Sequence, residues 1–391
     1  MIDLSLYNYM ESILRHTPER FRRYLFNKID WDARMIGIVG PRGVGKSTML
    51  QQRIKLIGDK SLQLYVMADQ TYFSTHSLTE LADEFVKEGG KYLYIDEIHK
   101  YPGWSRELKQ IYDVYPELHV IFTGSSVLDI RQGEADLSRR ALIYSLQGLS
   151  FREYLMLFHG IETPVYELPE ILQNKVRVPD VDHPLPLFRD YCNRGYYPFA
   201  LEGNFNLRME QIVSQTIEMD IPQYADMKAA TARKLKHMLA IISKSAPYKP
   251  SMEHLATEIG VSKNNVADYL TYLDKAGMIG LLRDNTLGMR ALGKVEKVFM
   301  DNPSLMTALG GGQTDVGSLR ETFFFNQMRV NYEVTSPKTA DFFIDGNTFE
   351  VGGKNKGLRQ IEGVPNGYIV KDDIERGHGV ILPLWTFGFT Y

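Results

Sequence analysis

Cysteine is almost missing from this sequence: Cys192 is the single one among 391 residues. One thiol closes no internal disulfide and builds no cysteine-rich zinc site, so a reducing, cytoplasmic setting is the expectation. No apolar run approaches the ~20 residues that a membrane-spanning helix needs, and no membrane partner is expected. The opening residues, Met1-Ile2-Asp3-Leu4-Ser5-Leu6-Tyr7, lack the basic and long apolar regions of a signal peptide. The nine histidines are scattered, with no H-E-x-x-H or other metal-ligand spacing. Gly124-Ser125-Ser126 lacks the G-x-S-x-G elbow of a serine hydrolase. Repeats of fixed period and low-complexity tracts are also absent. A dominant charge is lacking too: 45 basic against 48 acidic residues leave a net charge of −3. That excludes a uniformly basic nucleic-acid coat protein but leaves a local basic face open.

What is present is ordinary globular material, 44% hydrophobic and 24% charged. The length suggests two to three domains at about 150 residues each. Charge is unevenly spread. Residues 151–227 hold six basic and twelve acidic side chains, whereas 228–300 hold twelve basic and six acidic. The sharpest stretch, 228–250, carries Lys228, Arg233, Lys234, Lys236, Lys244 and Lys249 with no acid. A solvated helix face has the same appearance. Near the start, Leu14, Phe21, Tyr24, Leu25 and Ile29 fall at helical spacings, and Pro18 interrupts them. Four short apolar runs follow, at 35–39, 62–66, 92–95 and 119–122, separated by amphipathic stretches. Strands alternating with helices predict a parallel α/β sheet covered on both faces. After Ser150 the pattern is mostly helical, with a proline-rich loop at 176–187. From 321 it becomes a helix followed by strands, with turns at Asp345-Gly346-Asn347 and Gly352-Gly353.

The strongest motif is Gly40-Pro41-Arg42-Gly43-Val44-Gly45-Lys46-Ser47, which matches G-x-x-x-x-G-K-[ST] at every fixed position, after a strand and before a helix that continues through Thr48. Glycines let backbone N–H groups close around phosphate oxygens, and the helix N-terminus adds positive potential. Residues 40–48 are therefore the expected ATP cradle, with Lys46 reaching the β- and γ-phosphates and the Ser47 hydroxyl on Mg²⁺. The run Tyr92-Leu93-Tyr94-Ile95 then ends in Asp96-Glu97, the arrangement of a Walker B strand. Asp96 is expected on the magnesium side, and Glu97 as the base that directs the attacking water. The next strand runs into Thr123-Gly124-Ser125-Ser126, where Thr123 and Ser125 are both candidates to touch the γ-phosphate; spacing does not choose between them. Downstream, one arginine of Ser138-Arg139-Arg140 could stabilise transition-state charge in a neighbouring subunit's site.

Together, Ile95-Asp96-Glu97-Ile98-His99-Lys100-Tyr101-Pro102-Gly103-Trp104, Thr123-Gly124-Ser125-Ser126 and Leu149-Ser150-Phe151-Arg152-Glu153-Tyr154-Leu155 resemble a family. So do Arg194-Gly195-Tyr196-Tyr197-Pro198 and Val298-Phe299-Met300-Asp301-Asn302. It is that of archaeal and bacterial AAA+-type ATPases with a restriction-endonuclease-like C-terminal domain, usually described as of unknown function. The resemblance covers nearly the whole chain. It implies an α/β AAA+-like P-loop NTPase domain (1–150), a helical linker and winged-helix domain (151–300, the winged helix at about 230–290) and a PD-(D/E)XK-like α/β domain (301–391). It also places Arg140 on the family's arginine, where the family commonly has Gly-Arg and this chain has Arg139-Arg140.

The residues themselves agree with a helix-turn-helix at 254–273. Two short helical stretches flank Gly260-Val261-Ser262, and Ser262 can cap the second. Lys263, Asn264 and Asn265 then open the helix that would read bases, so DNA is one expected partner. In the last segment Glu321, Asp341 and Glu350 are candidate metal ligands, with Lys354 as the accompanying lysine. The nuclease pattern wants lysine two residues after the glutamate; Gly352 stands there, and Lys354 comes four residues after it. The expectation is a Mg²⁺- and ATP-binding ATPase whose hydrolysis rearranges a DNA- or protein-binding C-terminal half, working as a homo-oligomer or with another partner. The alternatives are an ATP-gated binding switch with negligible turnover and an ATP-dependent nuclease.

Overall fold

Apolar β-rich runs too short to be helices must pair to satisfy their backbone groups, and all four do, joined by a fifth strand. The computed structural model describes residues 2–124, 137, 139–222, 227, 229–245, 247, 249, 251–284, 294–311 and 314–391. The chain divides into two compact units, Met1–Gln147 and Gly148–Tyr391.

In the first unit, β1 (Met35–Val39), β2 (Gln63–Met67), β3 (Tyr92–Asp96), β4 (His119–Gly124) and β5 (Leu142–Ser145) form one sheet. Its order is β2-β3-β4-β1-β5, and every pairing is parallel. Four of these strands coincide with the apolar runs read from sequence. The fifth, β5, is an edge strand with exposed ends and a half-buried middle, and it carries no such run. Helices α1 (Leu4–His16), α2 (Lys46–Ile57), α3 (Leu78–Lys87) and α4 (Trp104–Val114) belong to this unit. The start of α3 is set by a reciprocal capping box between Ser77 and Glu80. The helical spacing expected across the first 30 residues stops at His16. Pro18 cannot continue the ladder, and Tyr24–Asn27 is a single 3₁₀ turn.

In the second unit, α5 (Phe151–His159), α6 (Phe205–Gln215) and α7 (Ala229–Ser245) precede α8 (Met252–Ile259) and α9 (Lys263–Lys275). Strands β6 (Ile279–Arg283) and β7 (Val295–Met300) pair antiparallel. After α10 (Pro303–Gly310) and α11 (Val316–Met328) come β8 (Phe342–Ile344), β9 (Asn347–Gly352), β10 (Gly367–Lys371) and β11 (Ile381–Pro383). These four make a mixed sheet of order β11-β10-β9-β8, antiparallel only at β8–β9. That hairpin turns on Asp345 and Gly346, both at positive φ, as a two-residue turn of matching twist requires. Among the described residues no helix is long and apolar enough to cross a membrane.

The helical stretch after Ser150 and the final sheet share one aromatic core. The Phe151 ring lies 5.7 Å from Phe389 and 5.4 Å from Phe188, and Phe188 lies 4.7 Å from Phe323. The Ser150 hydroxyl donates to the Tyr391 carbonyl at 2.8 Å. Residues 151–300 and 301–391, separate segments in the sequence reading, thus bury their apolar faces against each other within one unit. Phe151→Ala should cost about 3–5 kcal/mol. Hydrogen exchange should rise together in α5 and β9, and exchange confined to α5 would contradict a shared core.

Candidate functional site

The site is built where β1, β3 and β4 end. Because β4 lies between β1 and β3, Val39 pairs with Gly124, and Ile95 pairs with Phe122. The P-loop, the acidic pair and Thr123 therefore meet at the same sheet edge. Gly40 tolerates no side chain there, since a Cβ would lie 2.1 Å from the Leu146 carbonyl oxygen. Gly43 and Gly45 hold φ of 77° and 96°, the left-handed region that glycine occupies at no steric cost. Helix α2 begins at Lys46 after Gly45, which supplies no side-chain cap, and a helix N-terminus left without such a cap is the kind of place that binds phosphate. The buried Lys46 ammonium donates to the carbonyls of Gly40 at 2.8 Å and Pro41 at 2.7 Å. Ser47 and Thr48 stand in the first turn of α2, half-buried. Arg23 braces the loop through the Val44 carbonyl, and it also donates to the Gln147 carbonyl at 2.7 Å.

The Asp96 carboxylate is buried and used on both oxygens. One accepts the Thr123 hydroxyl, and the other accepts the Tyr65 hydroxyl at 2.6 Å. Burial, then the Asp96 charge, push the Tyr65 phenol well above its usual range, so it stays a donor. The Thr123 hydroxyl also accepts the Glu97 N–H at 3.0 Å. Glu97 sits at φ 52°, a left-handed backbone in a non-glycine residue. Such strain costs about 1–2 kcal/mol and gathers at functional sites. Its carboxylate pairs with Lys100 and, at 3.7 Å, with Arg42 of the P-loop. Burial alone would raise the Glu97 carboxyl, but Lys100 and Arg42 outweigh it and hold it below the usual carboxylate range. Lys100 bonds Asp69 as well, at 2.6 Å.

Other expected site residues are placed differently. Ser125 and Ser138 lie outside the described residues, as does Lys228. Arg140 is engaged within its own unit, in a two-pronged ion pair with Asp113 of α4 at 2.9 and 3.0 Å. Arg139 is exposed. Part of the basic run binds its own chain: Lys234 donates to the Gly260 carbonyl at 2.7 Å, and Lys236 pairs with Glu218 at 2.8 Å. At the start of α9, Ser262 caps the Asn265 N–H, Asn264 and Asn265 are exposed, and Lys263 pairs with Glu253.

A second cluster gathers in the second unit. Glu321 of α11 and Asp341, just before β8, both accept from the Lys297 ammonium of β7 at 2.9 Å. Glu350 of β9 pairs at 2.5 Å with Lys356. The expected Lys354 is instead exposed in a turn. The chain turns after Gly352, and the Lys356 stem crosses that glycine so closely that a Cβ would lie 2.7 Å from its Cδ. A strand-like offset therefore does not hold beyond Gly352. Lys297, Asp341 and Glu350 line a cavity of about 680 Å³ together with Asp284, Lys338 and Gln360. Among the described residues no three His, Cys, Asp or Glu side chains are placed to hold a metal ion.

Some of these partners had little sequence signal. Lys100 lies three residues after Glu97, a spacing that one helical turn brings together. Tyr65 needed the knowledge that β2 borders β3, where Met67 pairs with Asp96. Arg23 and Lys297 come from distant segments and had no local signal.

Residues 32–155 match the model of a family described as an AAA domain, and residues 185–316 match a domain of unknown function (DUF8612). An uncharacterized protein of Methanocaldococcus jannaschii is 27% identical over 268 residues, covering 63% of this chain and 56% of that protein. The chain thus spans little more than half the length of this relative. A Walker-type ATPase of Pyrococcus abyssi is 14% identical, with a TM-score of 0.45 over 76% of this chain and 99% of that one. AMPPCP-bound DnaA of Aquifex aeolicus is 13% identical, with a TM-score of 0.24 over 70% and 90% of the two chains. Residues 32–155, most of them in the N-terminal unit, are thus similar to an AAA domain, and the chain beyond contains a stretch similar to a domain of unknown function.

Proposed function

We propose that this chain hydrolyses ATP and uses the cycle to rearrange a C-terminal half that binds DNA. The observation that carries the reading is the convergence of Lys46, Ser47, Asp96, Glu97 and Thr123 at one sheet edge. Lys46, already anchored on the P-loop carbonyls, has only to turn its ammonium toward β- and γ-phosphate oxygens. Ser47 and Asp96 would hold Mg²⁺, which when bound neutralises developing phosphate charge. Glu97, kept ionised by its neighbours, would accept the proton of the attacking water. Thr123 would keep the two acids in register, since its hydroxyl donates to Asp96 and accepts the Glu97 amide.

The DNA part rests on α8, the Gly260–Ser262 turn, α9 and the β6–β7 pair, a sequence of elements matching a winged helix. The exposed Asn264 and Asn265 at the start of α9 are the side chains to read base edges. The last sheet, with α11, Asp341 and Glu350, supports the likeness to the restriction-endonuclease fold, used here for binding rather than cleavage. A second reading, an ATP-gated switch with slow turnover, is favoured by one observation: Glu97 is tied by Arg42 and Lys100.

ATPase assays with and without duplex DNA separate these readings. Lys46→Ala should abolish turnover and weaken nucleotide binding, while Glu97→Gln should bind ATP without hydrolysing it. Wild-type turnover in Lys46→Ala would refute the site assignment. Thr123→Val removes a hydrogen bond to a charged group, worth about 1.5–3 kcal/mol, and should lower kcat about 10- to 100-fold with little change in KM. In Lys100→Met the Glu97 carboxyl loses the stronger of the two cations that depress it. Its pKa should rise, and the acid limb of kcat/KM against pH should move to higher pH. An unmoved limb would remove Glu97 from the role of base. For DNA, affinity should fall with salt; no binding even at low salt, with or without ATP, would end that part of the proposal.

A further inference from the structure

Glu321 and Asp341 of the second unit are arranged as if around a cation, and the position between them belongs to a lysine. Lys297 projects from β7, which is pinned by the buried Val298, Phe299 and Met300 and by pairing with β6. Its ammonium lies 2.9 Å from a Glu321 oxygen and 2.9 Å from an Asp341 oxygen. The other Asp341 oxygen accepts the Val351 N–H at 3.0 Å. Glu350 is neutralised separately by Lys356. Mg²⁺ binds oxygen at about 2.0–2.1 Å with near-octahedral geometry. No such ion fits between Glu321 and Asp341 while an ammonium already bridges them, and two adjacent cations would repel. All three side chains are largely buried, at 15–19% exposure, so water screens that repulsion poorly.

We infer that Lys297 is the resident cation between Glu321 and Asp341, with Lys356 serving Glu350, and that these carboxylates take up no divalent ion and cleave no phosphodiester through one. Lysine stands where the fold's likeness to metal nucleases would place the ion, and the donor set is closed by the chain itself. The carboxylates remain competent in type; removing the ammonium should open them.

Mn²⁺ titration of the full chain without nucleotide, followed by the electron paramagnetic resonance of free Mn²⁺, tests this directly. The parent protein and Asp341→Asn should give the same isotherm. Lys297→Met should gain one Mn²⁺ site at least tenfold tighter than any in the parent, and Asp341→Asn in that background should abolish it. A Mn²⁺ site in the parent that disappears with Asp341→Asn would overturn the inference. So would a Lys297→Met protein that melts cooperatively yet gains no site. If Lys297→Met does not fold, the parent, Asp341→Asn and Glu350→Gln still decide: matching isotherms support the resident lysine, and a lost site refutes it.

Discussion

The N-terminal unit depends on β4 lying between β1 and β3. Neighbouring strands are about 4.8 Å apart, so the P-loop strand and the acidic strand stand about 10 Å apart with a single strand between them. Thr123, on that middle strand, ties Asp96 to the Glu97 backbone and thereby joins the two acids to the strand beside the P-loop. A β3 placed directly beside β1 would leave no strand end between lysine and acids and no position from which one hydroxyl could serve both. The sheet order is thus the constraint from which the geometry of the candidate nucleotide site follows.

The acidic cluster at the P-loop and the one in the second unit are both held by basic side chains of the chain itself. At the P-loop the pairing is local and partly exposed: Glu97 is shared between Arg42 and Lys100, with Lys100 also bound to Asp69. Such a network keeps a carboxylate ionised in a half-buried place, and its members can exchange partners without unfolding a strand. In the second unit the lysine comes from a distant strand and bridges two largely buried acids. Breaking that arrangement would leave buried charge uncompensated, which is far more costly than losing a surface pair. The two clusters therefore differ in how readily they can be rearranged, although each pairs carboxylates with basic side chains.

Much of the first unit was legible because its signals are local. The P-loop spacing, the apolar runs and the Asp96-Glu97 pair are contiguous, and period and motif reading need nothing more. The edge strand β5 was not legible, because a half-exposed Leu-Ile-Tyr-Ser run has no continuous apolar face. Helix α1 ended where Pro18 said it must, but the residues beyond it kept helical spacing without helical structure. Toward the C-terminus, Lys354 had the right parity for a straight strand. The turn after Gly352 ended the strand, and Lys356 crossed back instead. Arg140 illustrates another limit: its position follows motif spacing, but its bond to Asp113 depends on where α4 packs.

By itself the sequence determined that this chain has a P-loop motif, an acidic strand end and an α/β sheet. Glycine freedom, apolar runs and helix capping act over a few residues and need no partner from elsewhere. Only the tertiary structure decided that Tyr65 and Thr123 divide the Asp96 oxygens, that residues 151–300 share a core with 301–391, and that Lys297 bridges Glu321 and Asp341. Each of these joins segments far apart in the chain. Such contacts are set by which faces must be buried together, and that choice appears only when the whole fold competes for its apolar surface.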